Sequence, residues 1–256
     1  MKQARYRRIG NWLEELHRAG FRQLFFYHVY RKSNLKRFKI AGHEVWVRPG
    51  TPDLRVAVKS LGDEYLPLSR MLPADYDGLI VDAGGYIGTA ALKLNELFPN
   101  ATIVSIEPSD ENFDVLVKNT RDRRNIHCVN AALGVPGSGK RRLANRGTGE
   151  WGFTIVDNPR DNASPQFMGL VETVSLCDLC ERFGFASIGV LKLDIEGAEK
   201  ELFIHDAHGL SKIPIIFVEL HDRIVKGCST AFFDFSARRW VVRTAGEKYL
   251  SVFGGR

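Results

Sequence analysis

Carboxylates recur at the ends of strand-like apolar runs, and each is followed by a turn. Leu79-Ile80-Val81-Asp82 passes into Ala83-Gly84-Gly85-Tyr86-Ile87-Gly88. Ile103-Val104-Ser105-Ile106 ends in Glu107-Pro108, and Val190-Leu191-Lys192-Leu193 ends in Asp194-Ile195-Glu196-Gly197. A buried strand, a tight turn and a helix start in direct succession form a ligand-binding α/β crossover. Glycines 84 and 85 permit backbone angles closed to other residues and a close approach of ligand to main chain. Asp82 argues against a phosphate ligand, because a carboxylate there repels pyrophosphate and attracts a cation or a hydroxyl. The implied ligand is a nucleoside with a positive charge and no phosphate, which describes S-adenosylmethionine. Glu107 lies about twenty-five residues after Asp82, near the place of a ribose-binding acid in a Rossmann unit, and can accept both ribose hydroxyls.

A second group of residues suits proton chemistry. Asp194 closes one strand, and Glu219 and His221 stand at the end of the next, Ile215-Ile216-Phe217-Val218. Alternate residues of a strand share a side, so Glu219 and His221 can project together. In a doubly wound order the two strands are neighbours. His221 then serves as general base for an acceptor hydroxyl, with Glu219 or Asp194 orienting the ring. Alternatively the three groups hold a divalent metal, which is possible but not favoured here. The plainest alternative leaves His221 as a strand-end cap. Between these segments, Asn130 or the Ala131 backbone ends a third strand beside the expected position of a nucleoside base. Glu150 and Trp151, in a polar stretch with repeated glycines, are placed on the substrate side.

The elements that position these groups follow from the pattern. The core strands are separated by helical stretches, with Ser109 or Asp110 and then Ser175 as helix caps. Trp240–Arg243 and Lys248–Val252 read as a closing hairpin with one antiparallel strand. Residues 38–72 read as a β-rich lead-in that leans on the first glycine turn. With 256 residues and 44% hydrophobic content, the chain fits one large domain or one domain with an appendage. No run of eighteen apolar residues is present, so no membrane span is expected. The charged N-terminus does not suit a signal peptide. Four cysteines without a framework point to a reducing cytoplasm, and the Cys177/Cys180 pair reads as buried thiols rather than a zinc site.

Charge is concentrated at one end. Residues 1–40 hold eleven Lys and Arg against Glu14 and Glu15, a balance of +9 in a chain of +6. With Trp12, Leu13, Leu16, Phe21 and Phe25 interspersed, this segment reads as basic amphipathic helix. It serves as a cap on the catalytic domain, with a homodimer contact as one form of that. Peripheral contact with an anionic membrane is the second option. Nucleic acid is not expected as a partner, since no nucleic-acid-reading motif accompanies the charge. The organisation expected is thus 1–40 as the helical N-terminal segment and 41–256 as a Rossmann-like domain.

Asp82-Ala83-Gly84-Gly85-Tyr86-Ile87-Gly88, Ile106-Glu107-Pro108, Asn130-Ala131-Ala132-Leu133-Gly134 and Leu191-Lys192-Leu193-Asp194-Ile195-Glu196-Gly197-Ala198-Glu199 stand in the order and spacing of the FkbM-type methyltransferases. The resemblance covers about residues 45–225 and is most distinctive at Lys192–Glu199. It implies a class I methyltransferase fold: a mostly parallel seven-stranded sheet with helices on both faces. It implies S-adenosyl-L-methionine as cofactor and O-methylation of a hydroxyl on a sugar, glycolipid or other natural product. Carried onto this sequence, the glycine turn with Asp82, Gly84, Gly85, Tyr86 and Gly88 holds the methionine part, Glu107 the ribose, and Asn130-Ala131 the adenine edge, with Asp194 converging on the same cofactor site. Gly85 stands where the family commonly has Ala or Asn, which removes one side-chain hydrogen bond and keeps the backbone contacts. Two other classes compete: a non-catalytic cofactor-binding or membrane-recruited partner protein, and an NAD-dependent oxidoreductase. The second is disfavoured by Asp82 and by the absence of G-x-G-x-x-G spacing.

Overall fold

The structure, a computed structural model, describes residues 35–150, 152–157, 159–161 and 165–254. Residues 1–34, and so nearly all of the basic segment, lie outside the described residues. Its last residues, Lys36–Ile40, form strand β1, which pairs antiparallel with β2 (His43–Val47). Helix α1 (Asp53–Ser60) and a short 3-10 turn (Leu66–Arg70) follow. The lead-in is therefore β only as far as Val47. Leu54, Ala57, Val58 and Leu61 are all buried, and their spacing is helical, which outweighs the β preference of the two valines.

The core units come next: β3 (Leu79–Ala83), α2 (Thr89–Leu97), β4 (Thr102–Ile106), α3 (Asp110–Thr120), β5 (Ile126–Val129) and the short β6 (Ala132–Leu133). A three-stranded antiparallel flap, ordered β8-β7-β9, is built from β7 (Arg141–Asn145), β8 (Phe153–Thr154) and β9 (Gln166–Val171). The chain then runs through β10 (Thr173–Val174), α4 (Leu176–Phe183), β11 (Ile188–Leu193), α5 (Glu199–His205), α6 (Ala207–Ser211) and β12 (Ile215–Glu219). It closes with α7 (Cys228–Phe235), β13 (Arg239–Ala245) and β14 (Lys248–Phe253). A complete capping box at Ser175 and Asp178 starts α4.

The central sheet has seven strands in the order β13-β14-β12-β11-β3-β4-β5. The pairs β12-β11-β3-β4-β5 are parallel, and β14 runs antiparallel to both its neighbours. This is the Rossmann-like arrangement that the strand pattern predicts, with the mostly parallel seven-stranded sheet that the resemblance implies. Strand alternation fills two cores. Ile80, Ile103, Val190 and Ile215 face one layer with Leu54, Ala91 and Leu94. Leu79, Val81, Val104, Leu191 and Ile216 face the other with Leu179, Leu202 and Phe232. Both faces of β3 and β11 are buried, so their functional side chains can gather only at the strand ends. Those ends, β3, β4, β11 and β12, point to the same edge of the sheet.

Candidate active site

The glycine turn after β3 is held from two sides. Gly84 and Gly85 both donate their N–H groups to the Ile106 carbonyl at the end of β4. A Cβ on Gly84, whose φ is +80°, would lie 1.8 Å from the Asp194 carbonyl oxygen; one on Gly85 would lie 2.3 Å from Ser105 Oγ. Position 84 thus requires glycine, since its Cβ would meet backbone at the end of β11 at a left-handed φ, whereas at Gly85 the neighbours are the side chains of Ser105 and Leu116. From β11 the buried Lys192 donates to the Ala83 and Gly84 carbonyls at 3.2 and 2.6 Å. Its ammonium lies 3.0 Å from Asp82 Oδ1, off the hydrogen-bonding axis, so that contact is ionic. Asp82 Oδ2 accepts from Ser105 Oγ at 2.7 Å. Burial works against the Lys192 charge, but Asp82 and Asp194 hold its pKa above the usual lysine value.

Tyr86 sits at φ +50° and joins the turn to the lead-in. Its hydroxyl donates to Asp53 Oδ1 at 2.5 Å, and Asp53 also accepts from Arg48. Its N–H donates to Glu107 Oε2 at 2.9 Å. The other Glu107 oxygen accepts from the Ser109 N–H and the Asn112 amide. Burial pushes the Glu107 carboxyl up to about 7, against these three donors. Oε2, with a single donor among these contacts, retains a lone pair.

The loop after β11 folds around Glu199. This fully buried carboxylate accepts the Ile195 N–H through Oε1 and the Gly197 N–H through Oε2, both at 2.9 Å. Glu196 is forced to φ +52°, an unusual value for a non-glycine residue, and its carbonyl accepts from Thr154 Oγ1 of the flap. His221 Nδ1 is 2.9 Å from Glu199 Oε1, and Nε2 is 3.6 Å from Asp194 and 3.8 Å from Glu196. Burial pulls the imidazole down, but Glu199, Glu196 and Asp194 outweigh it and hold its pKa up at about 10. Burial pushes Glu196 up to about 7, with Asp194 adding to this and His221, Arg146 and Arg223 opposing. Asp194 goes the other way: Lys192, Lys248 and His221 outweigh its burial and hold it below the usual aspartate value.

On β12 and β14, Glu219 and Lys248 are register partners. Lys248 Nζ is 2.9 Å from Glu219 Oε2 and donates to Glu64, which precedes the 3-10 turn. Burial works against the ammonium, but Glu64, Asp194 and Glu219 hold it well above the ordinary lysine value. From the flap, the buried Arg146 pairs with both Glu196 and Asp161.

Some of these groups line one cavity of about 640 Å³ at the carboxyl edge of the sheet. Gly84, Gly85, Tyr86, Glu107 and Pro108 form one side; Asp194, Glu196, Glu219 and Lys248 form another. Such a volume is in the ~300–1,000 Å³ range of small-molecule sites. The sequence-derived residues divide accordingly. Gly84, Gly85, Tyr86, Glu107, Asp194 and Glu219 reach the cavity, whereas Asp82, Gly88, Asn130, Ala131, Glu150 and His221 are not in its wall. Asp82 lies under the turn, engaged by Lys192 and Ser105. Gly88 sits at the start of α2 with φ +84°. Asn130 turns outward to Asp110, while Ala132 and Leu133 line the wall instead. Glu150 meets the lining through its carbonyl, which accepts from Asn112. Trp151 lies outside the described residues. The ring of His221 sits behind Asp194 and Glu196.

Sequence reasoning passed over Lys192, Lys248, Glu64 and Arg146. Lys192 carried a signal, a lysine inside an otherwise apolar strand, since an unpaired buried ammonium is costly. Lys248 and Glu64 carried none, being ordinary charged residues distant in sequence. Cys177 is exposed and Cys180 half-buried on α4, and all four cysteines are free. No helix among the described residues is long and apolar enough to cross a membrane.

Comparison with known proteins adds the following. The model of the FkbM methyltransferase domain matches residues 82–246. The chain is 26% identical over 151 residues to the hexuronic acid methyltransferase AglP of Haloferax volcanii. That stretch is 58% of this chain, and the match spans only 58% of the relative's length. Among solved structures, the chain is similar to Aeropyrum pernix fibrillarin in complex with natively bound S-adenosyl-L-methionine: TM-score 0.41, 12% identity, covering 73% of this chain and 74% of that one. It is also similar to precorrin-6y C5,15-methyltransferase from Geobacter metallireducens: TM-score 0.41, 11% identity, covering 78% and 86%.

Proposed function

The chain belongs to the FkbM methyltransferase family, and from that premise we propose that it methylates a hydroxyl group of a sugar-type acceptor, using S-adenosylmethionine. The observation that carries this is the two-ended cavity. A glycine turn and a ribose-compatible carboxylate lie at one end, and proton-accepting carboxylates lie at the other. The relative named as a hexuronic acid methyltransferase supports the sugar class.

The residues present fit the cofactor. Gly84 and Gly85 present main chain without side chains to the cavity, and the free lone pair of Glu107 Oε2 suits a ribose hydroxyl. Pro108 and Leu133 offer apolar contact to the base. Asp194 offers negative charge to a sulfonium. S-adenosylmethionine, when bound, supplies a methyl group activated for attack by that sulfonium.

The protein's part is to hold an acceptor oxygen in line and take its proton. His221, held as an imidazolium by three carboxylates, is placed to position Asp194 and Glu196 rather than to act as base. Neighbouring carboxyls pushed apart in pKa divide the labour. Asp194 stays charged, and Glu196, near neutrality, accepts the proton. Glu219 borders the acceptor.

Calorimetry and transfer of labelled methyl test this reading. S-adenosylhomocysteine should bind and NAD should not, and label should pass to a uronic-acid-containing glycan. Binding without transfer to any sugar fraction of a cell extract would favour the non-catalytic module. NAD binding would end the assignment.

A further inference from the structure

The acceptor end contains a cluster whose spacing is that of a metal site. Ligand atoms of Asp194, Glu219 and His221 all lie within 4.8 Å of one another. Glu199 on His221 Nδ1 would even suit a metal-ligating histidine, which usually donates its second N–H to a carboxylate. A fourth side chain changes the meaning of the cluster. The Lys248 ammonium already sits 2.9 Å from Glu219 and is hydrogen-bonded to Glu64. It is also close enough to Asp194 for each to act on the other's charge. Lys248 is 6% exposed and lines the cavity. A divalent ion beside Glu219 would have to share its ligand with this ammonium.

We propose that Lys248 is the resident cation of the acceptor end, doing with an N–H donor what a divalent metal does between carboxylates. The proposal rests on the methyltransferase reading above. An ammonium has three donors; Glu64 accepts from one, and Glu219 is ion-paired with the group at 2.9 Å. A remaining donor is directed to the acceptor oxygen. That oxygen forms the new bond to the methyl carbon, and the electron pair of the breaking carbon–sulfur bond stays on sulfur as a thioether. The acceptor's proton passes to Glu196 and then to water. The ammonium keeps its own protons and stabilises the negative charge that grows on oxygen as its proton leaves. Register brings the two together: Lys248 and Glu219 are paired residues of adjacent strands, and Glu64 holds the ammonium from the other side.

Mn²⁺ titration of the full chain, with turnover and S-adenosylhomocysteine affinity, tests this on the parent, Lys248→Met and Lys248→Arg. In the parent, no stoichiometric Mn²⁺ binding and no effect of a chelator on turnover are expected. Lys248→Met should lose about a hundredfold in kcat, keep its S-adenosylhomocysteine affinity within about threefold, and acquire Mn²⁺ binding at the vacated carboxylates. Lys248→Arg should retain part of the rate. One-site Mn²⁺ uptake by the parent with chelator-sensitive turnover would overturn the proposal, as would parental kcat in Lys248→Met. Should Lys248→Met not fold, the parent titration and the Arg variant still decide. Failure of the parent to bind S-adenosylhomocysteine would remove the cofactor reading, while the Mn²⁺ titration separately reads the cation site.

Discussion

Lys192 Nζ donates to the Gly84 carbonyl at 2.6 Å, joining two segments separated by 108 residues. Because Lys192 also faces Asp82, the end of β11 sets the shape of the turn after β3. Asp82→Ala should therefore act through the turn. It leaves a buried ammonium without its ion partner, and breaking a buried pair typically costs about 3–5 kcal/mol. A large fall in melting temperature is expected, with weakened S-adenosylhomocysteine binding following from it. An unchanged melting temperature would refute the role given to Lys192.

Glu107→Ala should weaken S-adenosylhomocysteine binding at least tenfold, about 1.4 kcal/mol. The measurement is calorimetry on a variant verified to be folded. Parental affinity would remove Glu107 from the ribose site.

The same carboxyl gives a pH signature. Its pKa in the folded chain is raised to about 7, so it is increasingly protonated below that value. Affinity for S-adenosylhomocysteine should rise with pH through about 7, as the ionised form becomes the stronger acceptor, and Glu107→Gln should flatten the curve. Stability runs the other way. Folding favours the protonated acid, so the stabilisation is complete below the unfolded value near ~4.3 and is lost as pH rises through about 7.

His221 has the opposite charge type but the same sign of linkage. Its folded pKa of about 10 exceeds the unfolded value near ~6.5. The stability it contributes is complete below ~6.5 and disappears as pH rises through about 10. The parent's melting temperature should fall across that window, and the difference from His221→Gln should shrink with it. A constant difference across the window would rule out the imidazolium.

Gly84→Ala is expected to destabilise by at least ~2 kcal/mol, combining a clash with the Asp194 carbonyl and a left-handed φ. Thermal unfolding reads this directly, and a change below ~0.5 kcal/mol would be incompatible with the packing described.

Much of the sheet was legible because its strands are continuous apolar runs punctuated by acids and glycines. The strand ends at Asp82, Glu107, Asp194 and Glu219 could be placed from that pattern alone. What lay hidden was direction. Period-two logic places Asp82 at the strand end but cannot tell that Lys192 on β11 captures it beneath the turn. It aligns Glu219 with His221, yet Glu199, at the start of α5 and outside any strand, draws the imidazole behind the wall. The α1 helix was missed because the two prolines and glycine before it suggested a turn between strands. Lys248 and Glu64 were invisible for a simpler reason: their meaning comes from a contact across 184 residues.

That contact bears on how the protein is made. Glu64 emerges early in synthesis and Lys248 late, so a nascent chain carries the acidic wall before it has the ammonium that neutralises it. Until the β13–β14 hairpin joins the edge of the sheet, Glu219 has no partner strand on that side and the cavity wall lacks Lys248. Completion of the site is thereby tied to completion of the sheet. A ribosome-bound fragment that stops short of Lys248 should bind S-adenosylhomocysteine more weakly than the released chain and transfer no methyl group.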